Sequence, residues 1–212
     1  MIIRKAGVPN RDVIICPVYE NRLLPAPHDI YAAIITGSHD MVTDRADWSL
    51  YLSDWIREAA INKIPVLGIC YAHQLMAQAF RGEAGWHPHG LELGSTFIDL
   101  TEDGKNDPLF AALPLSFPVY VGHAQTVTTL PSGASVLAYN SFEPHHAIAF
   151  GPRMWGVQFH PEFTADIMRL YIEQDKEILR QAGYDTTALL SSIIDSPYGE
   201  IILKRFIQLA EA

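Results

Sequence analysis

"PVLGICYAHQ", residues 65 to 74, joins a β-type apolar run to what reads as a helix start and sets one of the chain's two cysteines at the junction. Val66, Leu67 and Ile69 form a short run bounded by Pro65, which suits a strand buried on both faces. Residues 71 to 81 follow as a helix closed by Gly82. A strand, a tight turn and a helix around a nucleophile make an elbow, where small neighbours let the reactive atom project from the turn. Here the elbow reads Gly68-Ile69-Cys70-Tyr71-Ala72, with alanine at the second glycine position. A helix N-terminus at Cys70 would favour thiolate over thiol. The elbow alone leaves two readings open, a nucleophile or a small core residue, because free cysteine is among the most buried residue types.

Working outward, residues 13 to 18 ("VIICPV") and 32 to 36 ("AAIIT") read as further parallel strands. Between the last of these and residue 64 lies "ADWSLYLSDWIREAAIN". In it Trp48, Leu52, Trp55, Ile56 and Ala59 recur at helical spacing, with Asp44 and Asp47 near the start, so the pair of strands and this helix make a βαβ unit. From about residue 93 to 159 the texture changes to short segments ("STFIDL", "FPVYVGH", "ASVLAYN", "HAIAF", "MWGVQF") separated by Pro and Gly, a mixed or antiparallel half. "TADIMRLYIEQDKEILRQAG" and "GEIILKRFIQLAEA" then read as closing helices. With no internal repeat and no low-complexity linker, residues 1 to 212 are expected to form one α/β domain.

The start of the chain fits this frame poorly. A doubly wound sheet normally places a full strand and helix ahead of its second strand, yet only 12 residues precede "VIICPV". "MIIRKAG" is too short for both and reads as the tail of a helix or an isolated edge segment. The natural protein is therefore expected to begin upstream of Met1, or another chain or segment to fill the gap.

Composition narrows the class. In 212 residues, 49% are hydrophobic and 18% charged, enough to bury one sizeable core. The net charge of −9, with no dense Lys/Arg block, argues against a nucleic-acid footprint. No apolar run approaches a membrane span and no apolar segment precedes a cleavage site, so a cytoplasmic location without membrane contact is expected. Cys16 and Cys70 are read as reduced thiols. No phosphate-binding glycine loop occurs. "WHPHG" (His87, His89) and "EPHH" (His145, His146) lack a completing cysteine or carboxylate cluster and read as solvated loops. Neither a metal nor a cofactor is expected.

The second chemical constellation is "WGVQFHPEF", residues 155 to 163. His160 and Glu162 sit at i and i+2 of an extended segment and so point to one face, with Pro161 stiffening the link. Cysteine, histidine and a carboxylate are the parts of an activated-thiol triad, in which the base deprotonates sulfur and the acid orients and steadies the imidazole. "GICYAHQ" and "GVQFHPE" resemble the paired signatures of class I glutamine amidotransferase domains, and "ITGS" at 35 to 38 resembles their oxyanion-strand motif. The likeness runs from about residue 30 to 163 and is nearest the stand-alone, GMP-synthase-glutaminase-like branch.

That resemblance implies a flavodoxin-like three-layer α/β fold with a central, mostly parallel sheet. It also implies attack by Cys70 on the glutamine side-chain amide, giving a γ-glutamyl thioester and ammonia, with His160 as acid/base and Glu162 as its orienter. Backbone N–H groups of Gly37 and Tyr71 would form the oxyanion hole. Gln74 would help hold the substrate's α-groups, and Val121, Gly122 and His123 would cradle it through mainly backbone contacts. A γ-glutamyl peptidase or hydrolase uses the same triad, and a binding or regulatory module would keep the fold without turnover. The partners implied are glutamine or another γ-glutamyl small molecule, and a synthetase receiving the ammonia. Three positions depart from the pattern: Ser38 for a second glycine, Ala72 in the elbow, and Gln125 where GMP-synthase glutaminases carry aspartate.

Overall fold

The computed structural model describes residues 1 to 212. In chain order its elements are α1 (Ile2–Ala6), β1 (Ala33–Ile35), α2 (Asp47–Ile61), β2 (Val66–Ile69), α3 (Tyr71–Ala79), β3 (Glu83–Trp86), β4 (Glu92–Leu100) and α4 (Glu102–Asn106). They continue with β5 (Ser116–His123), β6 (Gln125–Thr129), β7 (Ser135–Tyr139), β8 (Ala147–Gly151), β9 (Met154–Val157), α5 (Ala165–Gln174), α6 (Lys176–Gln181), α7 (Thr186–Ser191) and α8 (Tyr198–Glu211).

The quoted stretch lies inside a seven-stranded sheet of order β1-β2-β9-β8-β7-β4-β5. All four residues of β2 are buried, and their alternation divides them between two cores. Val66 faces Leu52, Trp55, Ile56, Leu75 and Met76 from α2 and α3. Leu67 and Ile69 face the opposite layer, where Ile202, Leu203 and Phe206 of α8 pack with Trp155 and Val157 of β9. Helices therefore cover both faces, in the three-layer α/β arrangement expected. A third cluster, around Tyr120, Met168, Ile172, Leu179 and Ile193, seats α5 to α7 beside the antiparallel end of the sheet.

The parallel part of the sheet is narrower than "mostly parallel" implies. Only β1-β2 and β2-β9 pair in parallel, whereas β4-β5, β4-β7, β7-β8 and β8-β9 are antiparallel. The reason lies in the connections: the segments between β4 and β9 include no helix long enough to carry the chain back across the sheet, so successive strands reverse. β3 and β6 form a separate two-stranded ribbon, which the sequence reading did not anticipate.

Residues 13 to 18 are not a strand. Residues 13 to 17 are irregular and Val18–Glu20 is a short 3-10 turn. Ile14 is 68% and Ile15 77% exposed. A β-branched run becomes a strand only where a neighbouring ladder accepts it. Here β1 pairs with β2 on one side, Pro17 has no N–H to donate, and no strand lies beside residues 13 to 17. "MIIRKAG" is helical, as α1, and packs on α8. The helix expected over 164 to 183 is divided at Asp175, whose side chain disfavours helix interiors. At the end of α3 it is Arg81, at φ 72°, that takes the left-handed turn. Gly82 serves close approach instead, since a Cβ there would lie 2.5 Å from the Thr129 carbonyl oxygen.

Phe206 is fully buried between α8 and the sheet. Phe206→Ala is expected to cost about 3–5 kcal/mol of folding stability, measured by urea unfolding. A loss below about 1 kcal/mol would mean that α8 is not an integral layer of the core.

Candidate active site

Cys70 ends β2 with φ 52° and ψ −100°. A non-glycine residue in that region costs about 1–3 kcal/mol and persists only where its surroundings over-determine it. Here its N–H donates to the Val157 carbonyl at 2.8 Å, and its own carbonyl accepts the Gln74 N–H at 3.3 Å. The turn also needs the small residue two places earlier. A Cβ on Gly68 would meet the Met76 sulfur at 2.6 Å and the Ala72 backbone at 3.0 Å. Ala72 itself is fully buried in the first turn of α3, so the methyl replacing the expected glycine hydrogen is accommodated.

Beyond β9 the Gln158 N–H bonds to His146 O and the His160 N–H to Tyr120 O, each at 2.8 Å, and the chain then turns, with the Phe163 N–H donating to His160 O at 3.2 Å. The extended i, i+2 segment expected at 160 to 162 is therefore a turn, and the turn at Pro161 and Glu162 is what brings the Glu162 carboxylate back to the imidazole. Gln158 Nε2 lies 3.5 Å from Cys70 Sγ. His160 Nδ1 pairs with Glu162 Oε1 at 2.8 Å, and the imidazole stacks on Phe163 with ring centroids 4.3 Å apart. Gln158, inside the stretch quoted above, was not singled out in the sequence. Lys5 of α1 was missed as well. Its Nζ donates to the Phe163 carbonyl at 2.6 Å and ties the segment carrying His160 and Glu162 to the N-terminal helix.

Electrostatics at this junction favour a charged ring. Burial by itself would push the His160 imidazole down, but Cys70 and Glu162 beside it outweigh that and raise it from 6.5 to about 10. Because the folded value lies above the unfolded one, the associated stabilisation is fully present below 6.5 and lost as pH rises through about 10.

Gly37 follows β1 and stands against this pair. A Cβ there would sit 3.1 Å from His160 Cε1 and 3.5 Å from Cys70 Cβ, so the absence of a side chain leaves room for the close backbone approach. The Tyr71 N–H belongs to the first residue of α3, where a helix supplies no internal acceptor. The Tyr71 hydroxyl donates to Ser49 Oγ at 2.7 Å and fixes α3 to α2.

A cleft of about 300 Å³ opens over Cys70 and is lined by Gly37, Tyr71, Gln74, Gly122, His123, His160 and Glu162 among others. Of the expected substrate-contacting residues, Val121 alone is not in the lining; it packs in the core behind it. Gln74 reaches the cleft with its amide nitrogen already committed, to Gln125 O at 2.7 Å and Gln158 Oε1 at 3.0 Å. His123 is bound on both sides, Nε2 to Glu92 Oε2 and Nδ1 to Gln125 O, each at 2.9 Å. Gln125, one of the departures from the pattern, ties down the turn before α2 by accepting from the Val42 N–H at 3.1 Å and donating to Thr43 Oγ1 at 2.7 Å. Ser38 Oγ donates to Asp40 Oδ2 at 3.0 Å within the cleft's rim.

Behind the cleft lies a polar cluster that the sequence reading placed in solvent. His87 is 6% exposed and His146 fully buried, with His87 stacked on Phe142 at 4.2 Å. Burial alone would raise the Glu92 carboxyl, yet hydrogen bonds from His123, His146 and Asn140 hold it below the usual carboxylate range. His87 Nε2 meets the Phe142 carbonyl at 3.0 Å and His145 Nδ1 the Val127 carbonyl at 2.8 Å, while His89 is exposed, so neither "WHPHG" nor "EPHH" is a simple solvated loop. Glu92 stands directly opposite His123 in the β4-β5 register, a pairing that linear spacing does not reveal.

Comparison with known proteins bears on the family and the fold. The sequence pattern of the family described as glutamine amidotransferase class-I matches residues 3–179. Gamma-glutamyl peptidase 5 of Arabidopsis thaliana is 29% identical over 137 residues, covering 64% of this chain and 55% of the peptidase. A glutamine-hydrolysing GMP synthase of Syntrophomonas wolfei is 36% identical over 150 residues, covering 67% of this chain and 28% of the synthase. The chain thus spans about half the length of the first of these relatives and under a third of the second. Among solved structures, a glutamine amidotransferase from Thermotoga maritima superposes with a TM-score of 0.82 at 21% identity, over 100% of this chain and 90% of that one. One from Methylobacillus flagellatus gives 0.79 at 20% identity, over 98% and 87%. At those identities the structural likeness speaks to the fold.

The His160 ring is expected to stay protonated well above 6.5 and to titrate near 10 in the folded protein. Glu162→Gln removes one of the groups that raise it and moves that transition to lower pH. Nitrogen NMR of labelled histidine reads both. A ring already neutral at pH 7.5 in the unsubstituted protein would contradict the assignment.

Proposed function

Because the chain belongs to the class-I glutamine amidotransferase family, we propose that it hydrolyses the side-chain amide of glutamine to glutamate and ammonia through a γ-glutamyl thioester on Cys70. The observation that carries this reading is the convergence of three side chains on one cleft: Cys70 on its strained turn, His160 beside it, and Glu162 2.8 Å from the far ring nitrogen.

In this mechanism the Cys70 thiolate attacks the amide carbon, and the carbonyl π pair moves to oxygen. The resulting oxyanion meets the N–H groups of Gly37 and Tyr71, whose fixed dipoles stabilise charge as it develops. His160 gives its proton to the nitrogen, the C–N bond breaks, and ammonia leaves the thioester behind. A water molecule then yields a proton to His160 and attacks the thioester carbon. The C–S bond breaks, glutamate departs, and the thiolate and imidazolium are restored. Glu162 holds the ring's orientation and steadies its charge throughout. Gln74, Gly122 and His123 position the substrate, with Val121 supporting them from the core. Residues 1 to 212 act as one glutaminase domain in this reading, without metal or cofactor.

The likeness to glutamine-hydrolysing GMP synthases supports a role in supplying ammonia to a synthetase partner. The likeness to gamma-glutamyl peptidase 5 supports the same chemistry on other γ-glutamyl amides. No helix is long and apolar enough to cross a membrane.

Cys70→Ala is expected to abolish both ammonia release from glutamine and covalent labelling by an electrophilic glutamine analogue, while leaving the fold intact. His160→Ala should slow turnover by about 10²–10⁴-fold. Glu162→Gln should be milder, because a neutral amide oxygen still accepts from the ring. Ammonia release, followed by a coupled glutamate dehydrogenase assay, decides the matter: full activity in Cys70→Ala would end the covalent mechanism.

A further inference from the structure

Resting on the hydrolytic reading above, we propose that the site is built for γ-glutamyl amides whose nitrogen carries a short apolar alkyl group, received by an annex between β4 and the α5-α6 turn. A second cavity of about 220 Å³ shares Leu91, Gly122 and Tyr171 with the cleft over Cys70. From there it extends between Leu93, Ile178 and Leu179 to Asp175. The two spaces adjoin at Gly122, which lines both. A Cβ at that position would make ordinary contact, 3.6 Å, with Leu93 and Tyr171, so these two side chains stand beside Gly122 where the spaces adjoin.

The annex lies on the leaving-group side of the reaction. The departing nitrogen must sit beside His160, which gives it a proton as the C–N bond breaks and its electron pair returns to nitrogen. From His160 an aromatic wall leads outward: Phe163 is stacked on the imidazole at 4.3 Å, and Tyr171 stands 6.0 Å from Phe163 at the mouth of the annex. Ammonia leaves no group that could use such a surface. A secondary amide would place its alkyl substituent there, and the products would be glutamate and the free amine. Asp175, the single ionisable carboxyl group of the annex, disfavours a substituent that ends in a carboxylate and accommodates a neutral one.

Two substrates of equal intrinsic reactivity test this, N5-methyl-L-glutamine and N5-isopentyl-L-glutamine, both secondary amides that differ only in how far they reach. For the unsubstituted protein, kcat/KM for the isopentyl compound should exceed that for the methyl compound about tenfold, a modest value for hydrophobic discrimination. Ile178 is 68% exposed, so Ile178→Glu leaves the core undisturbed while placing a second carboxylate in the annex. It should bring the ratio close to one. Hydrolysis of glutamine with a ratio at or below one in the unsubstituted protein would overturn the annex and leave the glutaminase reading standing. A tenfold ratio unaltered by Ile178→Glu would equally overturn it. No hydrolysis of glutamine or of either amide would overturn the hydrolytic reading itself and the annex with it.

Discussion

The backbone turn at Cys70 is the constraint on which the rest of the structure depends. A residue with a side chain is held at φ 52°, and what holds it is the pairing on either side: β2 locked in register with β9, and α3 beginning at once with the Cys70 carbonyl as its first acceptor. Because β2 is buried on both faces, the turn cannot relax by shifting the strand without exposing Leu67 and Ile69 or opening a gap against Met76. Packing of the two cores therefore supplies the stability that offsets local strain, and the strain places sulfur where a ligand could reach it.

A second constraint follows from the low tolerance of interiors for unpaired polar groups. The antiparallel half brings Glu92 against His123, and His123 against the Gln125 carbonyl, which also accepts from Gln74. Gln74 in turn bonds Gln158, and Gln158 reaches Cys70. The floor of the cleft is thus one continuous set of hydrogen bonds running from β4 to the Cys70 turn. His73 behaves differently. It is buried on the far side of α3 with its ring near the Gly156 backbone, and burial lowers it to about 3, so it stays neutral and serves as packing. Two classes of buried histidine, one networked with carboxylates and one without, occupy neighbouring space for different physical reasons.

Chain connectivity explains why the parallel and antiparallel halves meet at β9. α2 returns the chain from β1 to β2 in parallel, and from β4 onward the links are too short for such a crossover. β9 is bonded to β2 on one side and β8 on the other. The strand that leads into the segment of Gln158, His160 and Glu162 is consequently fixed by both halves, and Lys5 adds a tether from α1. The γ-glutamyl chemistry proposed for the cleft needs that rigidity, since misplacing reacting groups by about 1 Å can slow a reaction by about 10²-fold.

How much of this was legible beforehand varied with the range of the interaction. The β2 strand, the elbow and α3 followed from local patterning, because a short apolar run bounded by Pro and Gly and followed by helical spacing has few alternatives. The candidate site's two ends, "GICYAHQ" and "GVQFHPE", were legible as residue types at fixed spacing, but the turn that brings Glu162 back to His160 was not, because spacing alone suggested an extended segment. Residues 13 to 17 failed for the converse reason: propensity suggests a strand, but pairing needs a neighbour, and that is not a property of the segment. By itself the sequence determined where sulfur, imidazole and carboxylate occur and that a strand-to-helix turn carries Cys70. Only the tertiary structure decided that Glu92 faces His123, that His87 and His146 are buried, that Lys5 reaches Phe163, and that an apolar annex opens beside the cleft. Those depend on strand register and on which layers meet, and contacts between residues dozens of positions apart leave no trace in local periodicity.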